Sequence, residues 1–396
     1  MLRFSKRLAS KGVLVTFATP EVTRKQLLNI TQTVDECPGI HLEFFSDGLS
    51  LDLNRGEHVD LMLASLPVED VAAEHGIPCA MLYIQAFALY AIYYRYKSLE
   101  NVPNEALEVP GLPLLEVNDL PTFILPSSPH HFRKLVADSV HSMEKVKWVL
   151  GSSFYELEAD VVQSMSFFKP ILPIGPLMSS VVGEVNTCDA GDSCLKWLDE
   201  KLPSSVVYIA FGSIIMLTQK QMQNIAMALK NMNRPFLWVV RSPEKEYSEK
   251  KNGELPFDIG SGLVVSWCNQ EKVLRHQAVA CFLSHCGWNS TLEAVVAGVP
   301  VIAFPEWTDQ PTNAKLLVDV FKMGVRMRPE DDGTVTKEEV ERCIFEITEG
   351  PRASEMKKRA MDLREAAKKA VADGGSSDRN VDHFISEIIN QSGNTL

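Results

Sequence analysis

In the stretch LSHCGWNSTLEAVVAGVPVIAFPEWTDQ, residues 283–310, polar side chains interrupt an apolar run at spacings that suit recognition of a diphosphate and a sugar. His285 ends a strand-like run, Gly287 and Asn289 follow in a turn, and a helical pattern is expected from Ser290 to Ala297. A helix start presents unpaired backbone N–H groups and the positive end of the helix dipole, so small residues there let an anion approach. Asp309 and Gln310 follow the next strand and offer acceptors and donors matched to adjacent sugar hydroxyls. Upstream, Trp267 follows LVVS, with Cys268 and Gln270 behind it, and an aromatic face there suits a nucleobase. The ends of VVYIAF (206–211), LVVS (263–266) and ACFLSH (280–285) are expected to converge on one nucleotide-sugar crevice.

Each residue taken singly has a plainer reading. Ser290 with Glu293 spells a capping box, and Gly298 followed by Pro300 spells a helix stop. His285 alone is a strand-end histidine, and Trp267 or Trp288 alone is a core or interface filler. Cys281, His285 and Cys286 lie close in sequence, but alternation points strand neighbours to opposite faces and no fourth ligand is suitably spaced, so no metal site is expected. The combination carries the functional reading.

These residues need elements to position them. Short β-rich runs at 13–17, 41–45, 80–84, 147–152, 206–211, 236–240, 263–266, 280–285 and 300–305 alternate with helical stretches, which predicts α/β with parallel sheets. Thr218 with Gln221 and Thr336 with Glu339 give further capping boxes. The Pro-, Gly- and Ser-rich text between Pro173 and Cys194 marks a linker, and DGGSSDRN (373–380) marks a second boundary. The expected division is 1–180, a linker at 181–195, 196–375, and a terminal helix in 376–396. Ile77–Tyr94 approaches the length of a membrane span, but Pro78 and Gln85 interrupt it, so a buried strand followed by a buried helix is expected.

A length of 396 residues suits two domains. The formal charge of −12 argues against nucleic acid or anionic membranes as partners. The eight cysteines form no CxxC pair, and MLRFSKRLASKG lacks the apolar run of a signal peptide, so a cytoplasmic protein is expected. No GxGxxG follows any strand, which argues against a dinucleotide-dependent oxidoreductase.

The 44 residues from Trp267 to Gln310 closely resemble the signature box of plant family-1 UDP-dependent glycosyltransferases. The likeness extends more weakly from Met1 to the terminal helix through FGSIIMLT and DGGSSDRN. It implies the GT-B fold: two Rossmann-like domains facing a cleft, the first expected to be incomplete. Position by position it implies Trp267 stacked on uracil, the Cys268 backbone on the base, and Gln270 and Glu293 on the ribose. His285, Asn289, Ser290 and Ser213 would face the diphosphate, while Trp288, Asp309 and Gln310 would grip the sugar, Gln310 favouring glucose. The donor is a UDP-sugar, with no further cofactor and no metal. A monomer acting on a small acceptor is expected.

The chain departs from the family pattern in its first half. The resemblance implies a histidine base in the loop after the first strand and an aspartate that orients it. MLRFSKRLASKGVLVTF resembles the family's first helix and second strand, so that histidine is expected upstream of Met1. Gly56–Ala80 leaves no room for the strand and loop that bear the aspartate. His58 and His75 read as surface residues, and His130 with His131 as a helix start. VPGLPLLEVNDLPTFILPSS (109–128) resembles the ester-forming members, which act on phenolic or carboxylic acids. The alternative is a catalytically impaired UDP-sugar-binding protein.

Overall fold

Alternating β-rich and amphipathic segments fold as parallel sheets flanked by helices. The structure, a computed structural model, describes residues 1–21, 39–45, 72–96, 105–178, 192–212, 215, 217–240 and 262–392. His58, Ser213, and most of Gly56–Ala80 and of the expected linker lie outside the described residues.

In the first half, α1 (Leu2–Ser10) precedes β1 (Val15–Pro20), which pairs in parallel with β2 (Ile40–Phe45). Then come β3 (Ala80–Tyr83), α2 (Phe87–Arg95), two single turns at Val117–Asp119 and Thr122–Ile124, and α3 (His130–Lys145). β4 (Trp148–Gly151), α4 (Ala159–Met165) and β5 (Ile171–Pro173) follow, and β3, β4 and β5 form a parallel sheet in that order. The apolar run at 77–94 is thus a strand and a helix, as expected. Phe87 through Tyr93 are all buried, which marks α2 as a core helix, apolar on every face. Among the described residues no helix is long and apolar enough to cross a membrane.

The second half opens with α5 (Asp192–Asp199), β6 (Val206–Ala210), α6 (Gln219–Asn231), β7 (Phe236–Val239) and β8 (Leu263–Val265). It continues through α7 (Gln270–Leu274), β9 (Val279–Ser284), α8 (Trp288–Ala297), β10 (Val301–Ala303) and α9 (Gln310–Lys315), which runs on as a π-helical turn at Leu316–Val320. β11 (Gly324–Arg326), α10 (Lys337–Thr348), α11 (Ala353–Val371) and α12 (Ser376–Ser392) complete it. The six strands are all parallel in the order β11-β10-β9-β6-β7-β8. From β6 the chain builds outward to β8, then returns to the other side of β6 with β9. The strand order therefore reverses between β6 and β9, where open α/β sheets leave a crevice for ligands beyond the carboxyl ends.

Several local expectations are corrected. α8 begins at Trp288, with Gly287 as its N-cap, so Ser290 and Glu293 lie inside the helix and form no capping box. Thr218 and Thr336 do cap α6 and α10, each accepting the expected N–H at 3.2 Å. The reciprocal partners turn elsewhere: Gln221 accepts from the Val335 N–H and Glu339 from the Arg328 N–H. Two strands, β5 and β11, escape the sequence pattern because each has only three residues, with Pro or Gly among them, and sits at a sheet edge. At the ends of the expected linker, Ile174, Leu177 and Met178 are buried, and α5 already begins at Asp192.

The last helix returns to the first half. Val381 and Phe384 of α12 pack with Phe4, Trp148, Leu150 and Ile174, and the Trp148 and Phe384 rings meet edge to face at 5.2 Å. Asn380 Nδ2 donates to the Pro173 carbonyl at 2.7 Å, and Asp378 pairs with Arg7 at 3.1 Å and Lys11 at 2.8 Å.

Candidate functional site

His285 stands at the carboxyl end of β9, beside the end of β6, where the strand order reverses. Its ring lies between two glycines that no other residue could replace without movement. A Cβ on Gly212 would come within 2.7 Å of Nε2, and one on Gly287 within 2.6 Å. Gly212 also has φ of +72°, which favours glycine. Ser284 Oγ accepts the Cys286 N–H at 3.1 Å and Cys286 adopts φ of +65°, which turns the chain sharply from β9 into α8. Burial pulls the His285 imidazole below its ordinary pKa, partly opposed by the Asp309 carboxylate and the Ala210 backbone. The ring is therefore neutral at physiological pH, able to donate one hydrogen bond and accept another.

A side-chain network ties α7 to α8 and β6. Gln270, the first residue of α7, donates through Nε2 to Ser290 Oγ at 2.9 Å and to Glu293 Oε2 at 2.5 Å. Its Oε1 accepts from Tyr208 Oη at 3.1 Å, and that hydroxyl also lies 3.4 Å from Cys268 Sγ. Burial raises the Glu293 carboxyl, and the Gln270 amide works against that rise. Cys268 is buried, while Trp267 beside it, three residues before Gln270, is 44% exposed. The sequence reading did not single out Tyr208, and the only signal for it was one hydroxyl in an otherwise apolar strand.

Beyond β10, Asp309 and Gln310 are both buried. Asp309 Oδ1 accepts from Thr308 Oγ1 at 2.6 Å and Oδ2 from Asn313 Nδ2 at 2.8 Å, and Asn313 also donates to the Cys286 carbonyl at 2.9 Å. Gln310 Oε1 accepts the N–H groups of Glu306 and Trp307, each at 3.0 Å. Both polar heads are thus fixed in place by protein partners. Asn313 went unnoticed in the sequence, although its spacing of four residues from Asp309 is the one that places two side chains on one helix face.

The remaining candidates divide. Asn289 is exposed in the first turn of α8. The Trp288 ring is turned into the core towards Phe321, with only 3% of the residue exposed, so what Trp288 offers the crevice is its backbone N–H. His75 is exposed, and His130 with His131 opens α3 on the surface, as expected. Cys281 is fully buried in β9. Among the described residues no group of three or more His, Cys, Asp and Glu side chains is gathered for a metal ion.

An exposed aromatic, a linked set of amide, hydroxyl and carboxylate groups and a helix N-terminus near the point where the strand order reverses are parts suited to a nucleotide sugar, and comparison with known proteins points the same way. The family described as UDP-glucoronosyl and UDP-glucosyl transferase matches residues 155–368. UDP-glycosyltransferase 84B1 of Arabidopsis thaliana is 45% identical, with 98% of this chain and 94% of the relative covered. That alignment spans 434 positions, more than the 396 residues of the chain, so the relative carries residues that this chain lacks. Gallate 1-beta-glucosyltransferase of Quercus robur is 40% identical, with 98% and 86% covered. The crystal structure of Os79 from O. sativa in complex with UDP superposes with a TM-score of 0.81 at 29% identity, covering 98% of this chain and 97% of that one. The architecture is GT-B, and the chain belongs to the UDP-glucoronosyl and UDP-glucosyl transferase family.

Proposed function

We propose that the chain transfers glucose from UDP-glucose to the carboxylate of a small aromatic acid, forming an acyl glucose ester with inversion at the anomeric carbon. The observation that carries the donor half is the Gln270 carboxamide, which joins Ser290 and Glu293 beside the point where the strand order reverses. In this reading Trp267 stacks on uracil, the Cys268 backbone meets the base, and Gln270 and Glu293 take the ribose hydroxyls. His285, Ser290 and Asn289 face the diphosphate, the backbone N–H of Trp288 faces the sugar, and Asp309 and Gln310 hold the glucose. Neutral His285 and the first N–H groups of α8 stabilise the charge that grows on departing UDP, with no metal called upon. The acceptor-binding half is 1–180 and the donor-binding half 196–375.

The acceptor class follows from chemistry and likeness together. A carboxylate is already ionised at neutral pH, so it attacks without surrendering a proton to a base, whereas a phenol must lose one. The oak relative is named for gallate, itself a carboxylic acid. Six described cysteines, all free thiols, fit a reducing cytoplasm.

The test is transfer from UDP-glucose to gallate or cinnamate compared with their methyl esters, with products read by mass spectrometry before and after mild alkali. The expected product forms from the free acid, is absent with the methyl ester and is cleaved by alkali. UDP-glucose that binds but is transferred to no member of a broad panel of acids and phenols would establish instead a donor-binding protein without transferase activity.

A further inference from the structure

The loop that carries Asp309 and Gln310 is held from the other half of the molecule. Thr122 donates its backbone N–H to the Thr308 carbonyl at 2.8 Å and accepts the Thr308 N–H on Oγ1 at 3.0 Å. Thr308 has φ of +58°, a conformation that a β-branched residue adopts only when its surroundings compel it. Both of its backbone polar groups are thus engaged by one residue of the first half, and its own hydroxyl then donates to Asp309 Oδ1 at 2.6 Å. The chain of contacts runs without a break from Thr122 to the sugar-facing carboxylate.

The far side of the pair is held by the same strap. Thr312, fully buried in α9, donates Oγ1 to the Asp119 carbonyl at 2.7 Å. The buried Asp119 carboxylate pairs with Arg326 of β11 and lies 3.3 Å from Lys315 at the end of α9. Arg326 also donates to the Asn118 carbonyl at 3.0 Å. Phe123 stacks on Phe132 at 4.5 Å, and both rings meet the Trp307 indole in T-shaped contacts at 5.3 and 5.6 Å, a further link between residues 118–124 and the loop that carries Asp309. In contrast, Trp267, Gln270, Ser290 and Glu293 belong to second-half segments, and the first half comes near them through Arg3 of α1, which lies 3.6 Å from Glu271, and not through residues 118–124.

We infer that residues 118–124 are a positioning strap for the donor sugar. Thr122 and Asp119 set the orientation of Asp309 and Gln310, so recognition of the glucosyl group depends on this strap, while recognition of UDP does not. The inference deepens the donor-site reading and rests on it.

Calorimetric titration of the full chain with UDP and with UDP-glucose separates the two. In Thr122→Val, which keeps the shape and removes the Oγ1 acceptor, UDP-glucose binding is expected to weaken by about tenfold, the worth of one hydrogen bond to a buried partner. UDP binding should stay within about twofold of the parent, since no strap residue reaches the nucleotide network, and Thr122→Ser should restore the sugar-dependent difference. Equal weakening for UDP and UDP-glucose, or no weakening for either, overturns the strap. Asp309→Asn distinguishes the two readings. If it loses sugar-dependent affinity while Thr122→Val does not, the strap falls and the site stands. If it binds UDP-glucose as the parent does, the sugar grip falls and the strap with it.

Discussion

Glu293 shows how a residue can be legible in one role and hold another. Its spacing from Ser290 spells a helix cap, and only the tertiary approach of Gln270 turns both side chains towards the crevice instead. No sequence period reports a contact between residues 20 positions apart, so the network was reachable only through resemblance. Its electrostatics give a test. Burial raises the Glu293 carboxyl above its ordinary value of 4.5, and the ionised form is the one that accepts two ribose hydroxyls. UDP affinity should therefore fall as pH is lowered from 7.5 towards 5, and Glu293→Gln should flatten that fall while costing about 1 to 3 kcal/mol of binding at pH 7.5. Titration calorimetry across that pH range checks it. An unchanged affinity in the variant would remove Glu293 from the site.

At the scale of elements, a second buried carboxylate governs how α2 and α4 meet. Glu158, immediately before α4, accepts the Ala88 N–H of α2 at 3.1 Å, and burial lifts its pKa to about 7 despite the opposing Ser153 hydroxyl and the Ala88 and Phe87 N–H groups. A carboxyl whose folded pKa is raised binds its proton more tightly in the native state. Its contribution is therefore full below about pH 4.5, lost progressively up to about 7, and worth about 3 kcal/mol at the extreme. Glu158→Gln keeps the acceptor for Ala88 and removes the charge. Thermal melts should show the variant more stable than the parent at pH 8 and equal to it near pH 4. The apolar strands and the Thr218 and Thr336 caps were legible because local spacing determines them. β5 and β11 were not, because a three-residue edge strand is defined by its neighbour's hydrogen bonds rather than by its own residues.

For the molecule as a whole, alternation of strand and helix sufficed to announce α/β, and one 44-residue box sufficed to announce GT-B. What the sequence left hidden was which parts of the two halves touch, since Asp119 with Arg326 and Trp148 with Phe384 are separated by more than 200 residues. The α12 dock is open to measurement. Phe384→Ala should cost about 3 to 5 kcal/mol of stability, because it empties a ring-sized space between Phe4 and Trp148, and urea unfolding would show the loss directly. UDP affinity in folded Phe384→Ala should match the parent's, for α12 contributes nothing to the nucleotide network.

The return of α12 means that the polypeptide passes between the halves twice: once between Met178 and Asp192, and again between Val371 and Ser376. The second crossing is firmly anchored: α12 is clamped to α1 and β5 by Arg7, Lys11 and the Pro173 carbonyl, so a chain cut after Val371 would lose one of the two tethers between the halves and the apolar seal over Phe4 and Trp148 together.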